Sequence, residues 1–550
     1  MKRSTTLTLL ALLLAQATPG LAMDGHDMTH VAPGSPTTLM NGMGNHRHAI
    51  HTASPEAQRF FDQGLTLVFA FNHEEAIRSF QRAAALDSTA AMPWWGIALA
   101  LGPNINLPTD ADREREAYAA VQKARSLLSD GQEEERGYVE ALATRYAIEP
   151  TADRKALDQA YAQAMGALTM RFPDDLDAAT LYAEAMMDLR PWQLWSLDGK
   201  PAPGTEEIVA VLESVLKRDP YHPGANHYYI HAVEASPNPE RALPCATRLE
   251  TLVPNAGHLV HMPSHVYIRV GDYASAAKSN QVAAELDRRY IESTQAQGVY
   301  PLMYYGHNVH FLAVAFGIEG RYEDAKREAV RLAAHVAPAI KDMPMAEPWM
   351  ALPLLTDLRF HQWKAILKTT DPGPSMPVTR AIRLFARGAA LAEGGRVPQA
   401  LRERAAFQAA VAKVPADALI SLNLAASVLR MASLELDARL AETQRNMDLA
   451  IEFWRSAVQA QDSLAYDEPP VWYHPIRESL GRALLRASRD GEAEAVFRED
   501  LTKNPKNGRS LFGLTRALEA QGKGPDADAT RREFEIAWKS ADRALRLEDL

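Results

Sequence analysis

The chain has 550 residues, with 59 basic and 69 acidic side chains and a net charge of −10 with histidine neutral. A mildly acidic sequence without a basic stripe is a poor match to nucleic acid or to an anionic membrane surface. Its one cysteine, Cys245, rules out an internal disulfide, so packing has to stabilise the fold.

Lys2 and Arg3 are followed by an apolar run from Leu7 to Leu14 and by the small residues Gly20 and Ala22 around Leu21. This pattern predicts a secretory signal over 1–22, and with it a periplasmic or secreted protein. No later stretch is apolar for long enough to span a bilayer. Residues 23–54 are rich in Gly, Pro, Thr, Met and His, which predicts a mobile leader. Its Met23, Met28, Met40 and Met43 stand among His26, His30, His46, His48 and His51, a thioether–imidazole mixture suited to both oxidation states of copper.

From residue 55 to 550 the pattern is helical, with alanine and leucine recurring at three- and four-residue spacing. The stretch FFDQGLTLVFAFNHEEAIRSFQRAAALD sets Phe60, Gly64, Leu67, Ala76, Phe80 and Ala83 at spacings where small residues let two helices approach and large ones fill the gaps between hairpins. Trp94, Ile97, Ala98 and Leu101 begin the next unit. YIRVGDYASAA and GIEGRYEDAKREA repeat the grammar, with Gly271 and Gly320 closing a first helix, Tyr273 and Tyr322 opening a second, and Ala277 and Ala325 inside it. Gly481, Ala493, Phe497 and Pro505 mark another unit, followed by a hairpin through Gly513. These landmarks resemble the tetratricopeptide repeat family, most clearly near 57–102, 223–337 and 474–521. The resemblance implies an all-α, right-handed superhelical solenoid of antiparallel helix pairs. It implies a binding surface more than any particular chemistry. Between about 103 and 222, and between 335 and 470, the pattern is helical but degenerate.

Seven of the seventeen histidines fall in three short motifs: NHYYIHAVE with His227 and His231, GHLVHMPSHVY with His258, His261 and His265, and GHNVH with His307 and His310. Residues three, four and seven apart share a helix face, and Glu234 shares the face of His227 and His231. Counting back from the glycine, aromatic and alanine landmarks puts repeat starts near Pro223, Gly257 and Gly306. All eight residues then fall on first-helix positions that line the concave groove of such arrays. A lone histidine in a groove is ordinarily solvated or hydrogen-bonded, but seven on three consecutive inner helices gain nothing from packing. They predict a metal site.

Neutral imidazole suits copper, iron, zinc and nickel. Copper is favoured by the histidine-rich set and by Met262 and Met303 nearby, and two copper ions with about three histidines each would form a coupled oxygen-binding centre. Iron is the second reading, through the two-histidine, one-carboxylate set His227, His231 and Glu234. Zinc hydrolysis is the third, with Glu234 as general base but without an HExxH motif. Arg269, Tyr304 and Trp95 are candidate substrate contacts, and Trp192 and Trp195 are candidates to close the groove. The sequence leaves open whether the protein is a metal-dependent oxidoreductase, a copper store, or a metal-free scaffold for an extended peptide or partner protein.

Overall fold

The computed structural model describes residues 37–150 and 153–550. The predicted signal over 1–22 and the leader up to residue 36, including Met23, His26, Met28 and His30, lie outside the described residues. From Pro55 to Ala537 the described chain is a series of helices joined by turns and by a few longer loops, notably 189–204 and 463–475, with one small β-hairpin pairing Leu419–Ile420 and Asn423–Leu424. No helix among the described residues is long and apolar enough to cross a membrane.

One turn recurs eight times. A first helix ends, one capping residue follows, and the next residue adopts left-handed backbone. These residues are Phe71, Gly271, Gly320, His361, Gly395, Arg445, Ser488 and Gly522, with φ between 52° and 79°. The N–H after each bonds the carbonyl five residues back: Asn72 to Leu67 at 3.0 Å, Asp272 to Tyr267 at 2.8 Å and Arg321 to Phe316 at 3.0 Å. This is the bond that closes a helix on a left-handed residue and turns the chain for an antiparallel return. Glycine takes that conformation without cost, which is why Gly271 and Gly320 read as helix ends in the sequence.

The hairpins stack through a second recurring device. The ring of Phe80 lies where side chains on Gly64 and Gly96 would have to be, with a Cβ on either meeting it at 2.6 Å. Phe497 sits the same way between Gly481 and Gly513, at 2.3 and 2.2 Å. In both cases one phenylalanine joins its own hairpin to the next through two glycines, each sixteen residues away. The fold is a tetratricopeptide-like solenoid over nearly its whole described length. It includes 352–462, where Arg445, His361 and Gly395 make the same turn.

Two apolar cores run through the array, one collecting residues from Met43 to Met343 and the other from Ala284 to Leu550. Distant hairpins also meet. The Tyr273 hydroxyl donates to the Pro505 carbonyl at 2.9 Å, and Arg359 faces Glu478. Residues 37–54, which the composition assigns to a mobile leader, lie along the body as a strap. Met43 and Ile50 are buried, the Met40 N–H bonds Gln63 at 2.6 Å, and Asn255 bonds the carbonyls of Asn41 and Gly42. Its backbone polar groups find partners on the array that a composition-based reading does not register.

Candidate metal centre

The histidines lie on helices beginning at Pro223, Gly257, Pro263 and Tyr305; the first, second and fourth match the repeat starts counted from the landmarks, and the second unit is broken after His261, with His265 on its continuation Pro263–Arg269. Between the second and third of these units runs the long helix Tyr273–Thr294. Two groups of three imidazoles result. His227, His231 and His258 bring ligand atoms within 4.8 Å of one another, and so do His261, His265 and His307. His227 and His258 face each other at 3.2 Å through Nε2, and His261 faces His265 at 2.8 Å and His307 at 3.1 Å, again through Nε2.

The other ring nitrogens decide what these contacts mean. His227 Nδ1 lies 2.6 Å from the Phe69 carbonyl, an acceptor, so Nδ1 carries the proton. His231 and His265 each place Nδ1 2.6 Å from one oxygen of Glu234. His261 Nδ1 meets Asn280 Oδ1 at 2.6 Å, and the Asn280 amide nitrogen donates to Ala276. In a neutral imidazole one nitrogen is a donor and the other a bare lone pair. The Nε2 atoms of His227, His231, His261 and His265 are therefore bare in the neutral rings. At 2.8 Å, His261 and His265 then oppose lone pair to lone pair, and His231 Nε2 is buried with no partner at all. Neutral tautomers leave these contacts unsatisfied; a cation at each convergence point satisfies them, and at the His261–His265 contact so does a protonated His265 donating from Nε2 to His261.

Electrostatics fit the same picture. Burial pushes the imidazoles of His227, His231, His258, His261 and His307 below the ordinary histidine range, so they are neutral and hold their lone pairs. Burial acts the same way on His265, but the Glu234 carboxylate outweighs it and raises that ring. Burial alone would raise Glu234; His265 and His231 hold it below the usual carboxylate range.

The site is more enclosed than the open groove expected from the register. Six of its residues, from His227 to His265, are at most 5 % exposed. Phe71, at the turn position that Gly271 and Gly320 take in the other histidine-bearing repeats, turns its ring onto His227 at 4.6 Å and His258 at 5.4 Å. Phe311 packs against His261 and His265, both at 5.4 Å. From far down the chain, Tyr466 places its hydroxyl 3.1 Å from Glu234 and 2.6 Å from Glu468, whose carboxyl is pushed up to about 8 by burial and by Glu234. A cavity of about 20 Å³ reaches His231 and Glu234 between Arg190, Trp192, Trp195 and Tyr466. That volume admits about one water-sized molecule.

Other expected residues are placed as follows. Glu234 touches both triads through His231 and His265, with its oxygens on the ring edges opposite Nε2. His310 stands apart from the triads, its ring 6.0 Å from Trp349. Arg269 donates to the Glu234 carbonyl and lies over the Tyr466 ring, beside the centre. Tyr304 packs on His258 at 5.1 Å. Trp95 is buried against Phe61 and Tyr138, in the core of the first hairpins. Trp192 meets His231 edge-on at 5.4 Å, and Trp195 donates to the Ala232 carbonyl. Phe69, Phe71, Asn280, Tyr466 and Glu468 were not readable as site residues, since none belongs to a histidine motif.

Serial hairpins with this turn and this glycine–phenylalanine packing define a tetratricopeptide-like solenoid, here built around an internal histidine core. No protein-family profile matches the chain, and no curated protein matches it. Among solved structures it is similar to the Cut9–Hcn1 hetero-tetramer of the APC/C, at 12% identity and a TM-score of 0.29, over 88% of this chain and 74% of that one. It is also similar to the human IFIT1 dimer with m7Gppp-AAAA, at 11% identity and a TM-score of 0.30, over 90% and 92% of the two chains.

Proposed function

We propose that the protein is an exported metalloprotein whose buried core holds two transition-metal ions, copper by preference, one in each imidazole triad, and that it serves as a small-molecule oxidoreductase. The observation that carries this reading is the convergence of buried imidazoles in two triads, with the His231 Nε2 lone pair left without a partner among the described residues. Imidazole donors suit copper, zinc and iron alike; the thioethers of Met262 and Met303, in or next to the same motifs, favour copper, which would supply one-electron chemistry. Iron is less well served, because both Glu234 oxygens are taken by Nδ1 protons.

A metal held by three imidazoles would keep a position for a further ligand, and the small cavity reaches His231 of the first triad. That supports exchange with a molecule the size of water or dioxygen rather than storage. The chain's own residues supply orientation. Glu234 fixes one ring of each triad, and the Tyr466 hydroxyl links the same carboxylate to Glu468. Burial of the imidazoles speaks against their being contacts for an extended peptide.

Metal analysis of the untagged protein, compared with the variant His258→Ala/His261→Ala, tests the reading. The variant should hold two equivalents less. Equal metal in the two proteins would overturn it and favour the scaffold.

A further inference from the structure

We infer that Tyr304, Tyr300 and Tyr290 form a one-electron path from the first imidazole triad to the protein surface, so that an oxidising equivalent arising at the triad can be quenched from outside. The inference rests on the metal-bearing reading above. Four rings make a continuous run. Tyr304 meets His258 edge to face at 5.1 Å, Tyr300 stacks on Tyr304 at 5.4 Å and 23°, and Tyr290 meets Tyr300 at 5.7 Å and 81°. All three separations lie within the range of aromatic contact. Electron tunnelling falls steeply with the gap between rings, so contact at every step is what a path requires.

The local fold sets up this run. Tyr300 and Tyr304 bracket one π-helical turn that leads into the helix Tyr305–Ile318. Such turns occur frequently at functional sites, and this one places two phenol rings four residues apart in a stack. Tyr290 comes from the long helix Tyr273–Thr294. Tyr304 and Tyr300 are buried, whereas Tyr290 is only half-buried. The run therefore leads outward.

A phenol that loses an electron becomes strongly acidic, and its oxidation is easiest where a base takes the proton. Burial raises both Tyr300 and Tyr290, so each starts protonated. The Tyr300 hydroxyl donates to Asp287 Oδ1 at 2.9 Å, and the Tyr290 hydroxyl donates to Glu75 Oε2 at 3.1 Å. The Tyr304 hydroxyl is buried with no hydrogen-bond partner among the described residues. Tyr304 is therefore the bridging ring, and the radical rests on the other two.

Hydrogen peroxide reacting at the loaded triad is the oxidant. One electron leaves Tyr300 through the Tyr304 ring, and the phenolic proton moves to Asp287, leaving a neutral phenoxyl. Tyr290 then gives an electron to Tyr300 while Asp287 returns the proton, and the Tyr290 proton moves to Glu75. A one-electron reductant in solution restores Tyr290, which takes its proton back from Glu75. Each cycle carries one electron inward and leaves the chain's protons where they began.

The test uses the untagged protein loaded with copper(II) sulfate, desalted and counted, then treated with hydrogen peroxide and a nitrone spin trap. Adducts are located by tandem mass spectrometry, and far-UV circular dichroism checks the folding of each variant. The parent should carry a copper-dependent adduct on Tyr290. Tyr300→Phe removes one hydroxyl and should lose that adduct at unchanged copper content, and Tyr304→Leu should lose it too. Tyr221, which is 66 % exposed, reports radicals free in solution and should be labelled equally in all three proteins. Equal labelling of Tyr290 in parent and variants overturns the inference. So does a copper-bearing parent with no adduct on Tyr290, or with oxidation confined to Trp192 beside His231. All these results leave the metal reading standing. A parent that holds no copper overturns that reading, and the path with it.

Discussion

Glu234 and His265 sit on different repeats, 31 residues apart, and share a 2.6 Å hydrogen bond that ties one imidazole triad to the other. The second oxygen of the same carboxylate holds His231 of the first triad. One side chain therefore sets the tautomer of a ring in each group. Glu234→Gln can still accept one Nδ1 proton but turns an amide N–H toward the other. Metal affinity should fall about 10- to 100-fold, the usual cost of losing an outer-shell partner. A competitive chelator titration measures it, and both equivalents should weaken together. Weakening of only one would show that the triads are independent.

The glycine–phenylalanine contacts predict where the array yields first. Phe80 fills the space above Gly64 and Gly96, so Phe80→Ala opens a cavity shared by two hairpins and costs about 3–5 kcal/mol. Because repeats contact mainly their neighbours, amide exchange should accelerate over 55–101 and stay slow over 476–520. Uniform acceleration along the chain would mean that the array opens as one unit.

The sequence exposed the repeat register because landmark and structure share one cause: glycine at a left-handed turn and beside a phenylalanine ring. Where Arg445, His361 or Ser488 makes the same turn, the mark disappears although the geometry persists. The histidines show a similar boundary. The pair four apart on one helix, His227–His231, stays in one triad, being only about 40° apart around the helix; His261 and His265 also stay together, although the helix breaks between them at Met262–Pro263. Pairs three apart lie about 60° apart in the opposite sense. Accordingly His258 joins the first triad and His261 the second, while His310 leaves His307 for Trp349. Tyr466 and Glu468 were hidden for another reason. They reach Glu234 only because the solenoid closes on itself, and that long-range closure leaves no periodic trace.

Trp192 and Trp195 wall the cavity that leads to His231. Trp195 is anchored by its bond to the Ala232 carbonyl, whereas Trp192 packs at the edge of the first core with its ring edge-on to His231. Trp192→Ala should widen the entrance without touching a ligand nitrogen. Removal of metal by an external chelator should then quicken about tenfold, equivalent to about 1.4 kcal/mol off the opening barrier, at unchanged stoichiometry. An unchanged rate would place the route to the centre elsewhere.

Asp287 supplies a pH test of the scaffold beneath the second triad. Its carboxyl accepts from the Tyr300 hydroxyl at 2.9 Å and from Asn308 at 2.7 Å, yet burial dominates and raises it from 3.8 to about 7. Between those values the folded chain binds a proton that the unfolded chain has released, so this group's contribution to stability declines as pH rises through the window. Asp287→Asn offers an uncharged replacement, with its amide nitrogen toward Tyr300 and its oxygen accepting from Asn308. Relative to the parent, the variant should gain about 1–3 kcal/mol between pH 5 and pH 8, read from urea midpoints at both values. Taking the difference between the two proteins cancels every other titrating group. A constant difference across the range would show Asp287 ionised throughout, with its two hydrogen bonds outweighing burial.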